Sequence, residues 1–259
     1  MRINPIGIFD SGAGGLSIWK EINALLPFES TVYISDSKYA PYGPKGEEFI
    51  LKRAIINTEY LIEKGAKIIV VACNTATTNA ISHLRSHYNV PFIGIEPAIK
   101  PAALTSTNNA IGILATKGTL SSSLFHETSS RYTQNITVVE QVGDGIVELI
   151  ESGKLYSDEM ENLLSGYLNP MLKQHIDCLV LGCTHYHFLT PILKKLLPKE
   201  VVIIDSGTAV ARQTKSVLEK YCLMTTTLEA PSYEFFTNGE KDVMAGLLNC
   251  GIDQIKQLQ

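Results

Sequence analysis

Two cysteines, Cys73 and Cys183, stand in matched surroundings 110 residues apart. In Ile68-Ile-Val-Val-Ala-Cys-Asn-Thr75 and Cys178-Leu-Val-Leu-Gly-Cys-Thr-His185, an apolar run ends on a small residue, a cysteine follows, and a hydroxyl-rich helix start comes next. A thiol on a strand-to-helix turn sits beside unpaired N–H groups and the positive end of the helix dipole. Both lower its pKa below about 8.5. The same N–H groups, with the hydroxyls of Thr75 and Thr184 and the amide of Asn74, form a ready carboxylate site. One free cysteine is usually a small buried hydrophobe. Two on one plan predict paired chemistry. Cys178, Cys222 and Cys250 have no such context.

Other residues could assist. Asp10 follows an apolar run in Phe9-Asp-Ser-Gly-Ala-Gly-Gly15, where a carboxylate is costly unless paired or working. It reads equally well as a helix N-cap or as an acid–base group. The glycines fit neither a G-x-G-x-x-G fingerprint nor a P-loop. His185 lies two residues after Cys183, where an imidazole can share the thiol's proton. His187 comes two residues later, but no further ligand cluster is nearby, so a metal site is not expected. The stretch Asp36-Ser-Lys-Tyr-Ala-Pro-Tyr-Gly43 reads as a loop, either plain surface or functional. Glu151, by spacing alone, reads as a solvated residue at a helix end.

The elements that must hold these residues are short. Strand-sized apolar runs occupy Ile6–Phe9, Thr31–Ser35, Lys67–Ala72, Phe92–Ile95, Ala110–Ala115, Ile136–Glu140, Cys178–Leu181, Val201–Ile204 and Tyr233–Thr237. Helical periodicity lies between them, as in Leu16, Trp19, Ile22 and Leu26, or Met160, Leu163, Leu164, Tyr167 and Met171. Alternation of this kind predicts an α/β protein with largely parallel sheets covered on both faces. Ile6-Gly-Ile-Phe9 returns as Ile111-Gly-Ile-Leu114, 105 residues on, close to the cysteine spacing. Two similar domains are expected, each presenting one cysteine at the carboxyl end of a strand, where ligands sit in open parallel sheets.

Composition excludes several classes. Of 259 residues, 45% are hydrophobic and 19% charged, too apolar for a disordered chain. Net charge is −4 and no Lys/Arg run exceeds two, so no nucleic-acid surface is expected. The longest apolar stretch, Ile68–Cys73, is far below the roughly 18 residues of a membrane span. Five widely spaced cysteines without a CxxC suit free thiols in a reducing compartment. The start, Met1-Arg-Ile-Asn-Pro5, lacks a secretory apolar region, and a cytoplasmic protein is expected.

Gly7-Ile-Phe-Asp-Ser-Gly-Ala-Gly-Gly15, Pro41-Tyr-Gly43, Ala72-Cys-Asn-Thr-Ala76, Glu96-Pro97, Leu181-Gly-Cys-Thr-His-Tyr186 and Asp205-Ser-Gly207 occur in this order. Together they resemble the glutamate racemases of the cofactor-independent aspartate/glutamate racemase superfamily. The histidine after the second cysteine is similar to the glutamate branch, since aspartate racemases typically carry an acidic residue there. The resemblance implies that Cys73 and Cys183 are the catalytic acid/bases, with Asp10 and His185 as their helpers. It implies that Ser11, Tyr42, Gly43, Asn74, Thr75 and Thr184 bind glutamate, together with Asp10 and His185. It puts the family's glutamate near the site on Glu151. One departure is His187, where the family usually has Pro.

The family fold implies a first domain of residues 1–96 plus 207–259 and a second of 97–206, with the site in the cleft between them. No cofactor and no metal are implied, the partner is a small-molecule substrate, and a homodimer is left open. The product, D-glutamate, would supply peptidoglycan synthesis. An aspartate or hydantoin racemase, or a binding protein with inert cysteines, are the competing expectations.

Overall fold

A computed structural model describes residues 4–226 and 229–258. Among the described residues, ten strands, labelled in chain order, are β1 (Ile6–Asp10), β2 (Thr31–Ser35), β3 (Ile68–Val71), β4 (Phe92–Gly94), β5 (Ala110–Ala115), β6 (Thr137–Val142), β7 (Cys178–Gly182), β8 (Val202–Ile204), β9 (Tyr233–Thr237) and β10 (Ile255–Gln257). They form a six-stranded sheet, β10-β9-β2-β1-β3-β4, and a four-stranded sheet, β6-β5-β7-β8. Every pairing is parallel. The expected strands are present; the short edge strand β10 has no counterpart among them.

The internal echo is a repeat of topology. In both sheets the order second-first-third-fourth recurs, as β2-β1-β3-β4 and β6-β5-β7-β8. The register recurs too: Ile6 pairs with Ile68, and Ile111 with Cys178. Gly7 and Gly112 occupy the next position and serve one purpose, close packing. A Cβ on Gly7 would stand 2.9 Å from Ala66 Cβ, and one on Gly112 2.6 Å from Met171 Cε. The strands β1, β2, β3, β5 and β7 are buried on both faces, with separate apolar clusters on the two sides of each sheet, while β6, β8 and β10 at the edges are partly exposed. That burial is why the buried strands read as unbroken apolar runs.

Parallel strands of one register end together, and their succeeding helices begin there. Cys73 therefore stands at the carboxyl end of β3, N-terminal to the helix Asn74–His87, and Cys183 at the carboxyl end of β7. Cys183 leads into a 3-10 turn, Thr184–Leu189, in place of the expected α-helix start. Pro191 gives the reason. It lacks the N–H that would bond His187 O in a continuous helix, and Thr190 donates to that carbonyl instead, through its backbone N–H and, at 2.8 Å, its hydroxyl. The second crossing between the sheets lies beside the first, because Ser206 Oγ donates to Glu96 O. Among the described residues, no helix is long and apolar enough to cross a membrane.

Candidate functional site

The carboxyl ends of β1, β3 and β7 meet at a narrow, nearly filled cavity of about 10 Å³. It is lined by Ser11, Pro41, Tyr42, Cys73, Asn74, Thr75, Thr116, Val147, Cys183, Thr184 and His185. Both thiols reach it, from different sheets. Asn74 is buried, and neither end of its amide has a hydrogen-bond partner. An orphaned amide in a closed pocket costs free energy that a ligand's polar groups would recover. A wider groove, lined by residues 88–92 and by Ser216, Val217, Lys220, Tyr221 and Leu223 among others, lies at the amino ends of β3 and β4 and has no cysteine in its lining.

On the β1 side, Cys73 is the N-cap of its helix, its sulfur accepting from Ala76 N at 3.4 Å. The thiol reaches Ser11 Oγ at 3.4 Å, and that hydroxyl lies 3.5 Å from Asp10 Oδ1. Asp10 Oδ2 accepts from Gly15 N at 2.7 Å, at the start of the helix Leu16–Leu25. Asp10 thus caps a helix and faces a thiol at once. Burial pushes its carboxyl from 3.8 up to about 6, against the lowering pull of His185 and the Gly15 N–H. The expected depression of the thiol pKa is overturned at Cys73. Burial and the neighbouring Asp10 carboxylate raise it well above the usual value, outweighing the Ser11 hydroxyl and the Ala76 N–H.

On the β7 side, Cys183 Sγ lies 3.8 Å from His185 Nδ1, and His185 Nε2 lies 2.6 Å from Glu151 Oε1. Burial opposes a charge on His185, but its hydrogen bonds with Cys183 and Glu151 outweigh that and hold its pKa well above the usual value. Glu151 is also largely buried. The expectation of a solvated helix end is wrong, because the end of the helix Ile146–Glu151 abuts the other sheet's loops. Glu151 Oε1 accepts from Ala13 N at 2.7 Å and Oε2 from Ser37 Oγ at 2.7 Å. These donors, with His185, outweigh burial and hold its pKa below the ordinary carboxylate value. An ionised carboxylate only accepts, so Nε2 must carry the proton. Gly14 N, 3.2 Å from the same nitrogen, then has no lone pair to bond.

The glycines after Asp10 are explained by this meeting. A Cβ on Gly12 would collide with Glu151 Oε1, and one on Gly14 with the His185 ring and, at 2.6 Å, its backbone nitrogen. Thr184 Oγ1 lies 3.4 Å from Asp10 Oδ2 and so joins the two halves of the site. Thr75 Oγ1 meets Thr116 Oγ1 at 2.8 Å, and a Cβ on Gly43 would stand 3.2 Å from Thr116 Cβ.

Of the sequence-predicted residues, eight line the cavity. Asp10 and Glu151 stand behind it, in contact with lining residues, and Gly43 borders an adjoining crevice. His187 points elsewhere. Its Nε2 is buried without a partner, near Asp205 and Glu21, and burial lowers its pKa. Sequence reasoning missed Thr116, Ser37 and Asp36. Asp36 is wholly buried and holds the segment 36–43 in shape: it accepts from Tyr42 Oη, Arg53 Nε and Nη2, Asn57 Nδ2 and Asn238 Nδ2. An aspartate ending an apolar strand, with an arginine in the next helix, was the available signal.

The family model described as Asp/Glu/Hydantoin racemase matches residues 6–214. A glutamate racemase of Ectopseudomonas mendocina is 44% identical over 245 residues, 94% of this chain and 93% of that protein. Among solved structures, Escherichia coli glutamate racemase in complex with L-glutamate and the activator UDP-MurNAc-Ala superimposes with a TM-score of 0.87 at 33% identity, covering 98% of both chains. Glutamate racemase from Francisella tularensis in complex with D-glutamate gives 0.85 at 28% identity, covering 100% of this chain and 98% of that one. The matched span includes both thiol motifs, and the likeness runs through both sheets. This chain belongs to the Asp/Glu/hydantoin racemase family.

Proposed function

We propose that this chain interconverts L-glutamate and D-glutamate by proton transfer between two thiols. The observation that carries the reading is that Cys73 and Cys183 reach one small cavity from two different sheets. Inverting a carbon centre requires a base on one face and an acid on the other. Two thiols supplied by opposed elements meet that need. The similarity to glutamate racemases supports glutamate as substrate.

In this reading Cys73 takes the α-proton of D-glutamate and Cys183 protonates the opposite face; the reverse holds for L-glutamate. The handedness rests on the family resemblance. Asp10, with its carboxyl at about 6, receives the Cys73 proton by way of Ser11. His185 exchanges a proton with Cys183 through Nδ1. Glu151 orients the imidazole. Ser11, Tyr42, Gly43, Asn74, Thr75 and Thr184 hold the substrate, and the unpartnered Asn74 amide supports a ligand there. Charge developing on the substrate carboxylate is met by fixed hydroxyl and amide donors. Closing the cavity excludes water and strengthens them. Acid and base are both side chains, so the reading calls for no cofactor.

The same reading divides the chain into residues 1–96 with 207–259, and 97–206. The hydrogen bond between Ser206 and Glu96, at the two crossings, supports that boundary. The activity is assigned to the cytoplasm, with D-glutamate going to peptidoglycan synthesis.

Circular dichroism of L-glutamate incubated with the protein tests the activity. Decay to zero signal is expected, and a constant signal overturns it. Deuterium incorporation tests the faces. With Cys183→Ser, whose hydroxyl returns a proton slowly, D-glutamate in deuterated water gains label while staying D, and L-glutamate stays unlabelled. Labelling of the opposite enantiomer reverses the assignment.

A further inference from the structure

Glu151 extends from the helix Ile146–Glu151, which packs with the second sheet, yet its carboxylate is met by donors from loops of the first. Ala13 N, after β1, donates to Oε1 at 2.7 Å, and Ser37 Oγ, after β2, donates to Oε2 at 2.7 Å. The Ser37 hydroxyl has one further hydrogen-bond partner among the described residues, Ser35 Oγ at 2.8 Å. Proton counting fixes the direction of this chain. A hydroxyl has one proton to give, and an ionised carboxylate can only accept. Ser37 therefore donates to Glu151, and Ser35 donates to Ser37.

The backbone that carries Ser37 is built for placement. Lys38 N donates to Asn238 Oδ1 at 2.9 Å, and Asn238 in turn donates to the buried Asp36. Gly239 lies so close behind Ser37 that a Cβ there would stand 2.5 Å from Ser37 Cβ. The terminal torsion of a glutamate is broad and roughly two-fold. Held only at Oε1, this carboxylate could turn and release His185. Held at Oε2 by Ser37 as well, it cannot turn without losing a bond.

We infer that Ser37 is a positioning residue: it holds the Glu151 carboxylate ionised and aimed at His185, and does so only while the two sheets' loops are closed on each other. Opening removes two donors from Glu151 together, so closure of the cleft and the charged, oriented state of His185 become one event. The inference rests on the racemase reading above. Glu151 and His185 are faced by Asp10 and Tyr33 from β1 and β2, by Cys183 from β7, and by Cys73 across the cavity. Asp10 titrates on the acid side too, and its own variants identify its share.

The test compares Ser37→Ala, Ser37→Thr and Glu151→Gln in racemisation of glutamate across pH. Ser37→Ala should lower kcat/KM about tenfold, the loss of one hydrogen bond to a charged group. The loss must be equal in both directions because the two enantiomers have equal free energy. Without its donor Glu151 protonates more readily, so its carboxyl band in difference infrared spectra, identified by its loss in Glu151→Gln, should titrate at higher pH than in the parent. Ser37→Thr keeps the hydroxyl and should stay within about threefold of the parent. In the Glu151→Gln background, Ser37→Ala should add nothing. An equal loss in both backgrounds, or a Glu151 titration that does not move, overturns the inference. The Glu151 titration alone decides if the Glu151→Gln background is too slow to measure. Failure of the racemase reading is distinct: the parent protein itself would leave glutamate unchanged.

Discussion

Asp36 and Arg53 meet through two parallel hydrogen bonds of 2.7 Å each, with the aspartate side chain 0% and the arginine side chain 13% exposed. The pair fixes the segment that delivers Ser37, Tyr42 and Gly43 to the cavity, and Arg53 also lies 4.2 Å from the Tyr39 ring centre. Removing one partner of a buried pair strands the other's charge, which costs about 3–5 kcal/mol. Arg53→Met should therefore lower unfolding stability by that amount in urea titration and raise KM for glutamate. An unchanged midpoint would remove the pair from any structural role.

Gly14→Ala should produce a folded but nearly inactive protein. The added Cβ meets the His185 ring and its backbone nitrogen, which no rotamer change can relieve. The collision is between the two halves of the site, so each sheet and its core is untouched. A displacement near 1 Å at a reacting centre costs about 100-fold in rate. Far-UV circular dichroism should match the parent while kcat/KM falls at least about 100-fold. Parent-like activity would show that the loop and His185 do not meet during turnover.

Asp10 sets stability against function. Its folded pKa, about 6, lies above the ordinary 3.8, so the folded state favours the protonated form. Its favourable contribution is complete below about pH 4 and disappears as pH rises through about 6. At pH 8 the ionised, buried group is a penalty of about 3 kcal/mol. Asp10→Asn removes the charge and keeps an oxygen for Gly15 N. It should be the more stable protein at pH 8 by up to about 3 kcal/mol and lose that advantage by pH 4. Its kcat/KM should fall at least about 100-fold, since an amide takes no proton. Greater stability at pH 4 than at pH 8, relative to the parent, would contradict the sign.

Thiol reactivity should separate the cysteines. Cys222 is exposed and Cys250 partly so, whereas Cys73, Cys178 and Cys183 are buried. An aromatic disulfide reagent should label Cys222 first with activity intact, and D-glutamate should protect Cys73 and Cys183. Cys222 has φ 55, so Cys222→Asn, which tolerates that conformation, should remove the fast phase without disturbing the turn. Activity lost in step with the first thiol would place chemistry where the structure has none.

The repeat, the parallel sheets and the two thiols are written locally. Runs such as Ile68–Val71 and Cys178–Gly182 are apolar at successive positions because helices cover both faces, and that demand is met within each run. Residue types alone set Asp10, Cys73, Cys183 and His185 apart, since a carboxylate, thiols and an imidazole after apolar runs need a reason. β10 was not legible, because three residues added to a sheet edge carry too little pattern. Glu151 was not legible from spacing either. Its donors, Ala13 and Ser37, lie 138 and 114 residues away, and nothing in its own helix announces them. The direction of the Cys73 shift turned on the same distinction. The helix start that would lower the thiol is local, while the burial and the Asp10 carboxylate that raise it come from other strands. Helical hydrogen bonding and periodicity act over a few residues and can be read along the chain, whereas hydrogen bonds such as those to Glu151 cannot. Desolvation and charge–charge coupling depend on segments that only folding brings together, and here folding decided them.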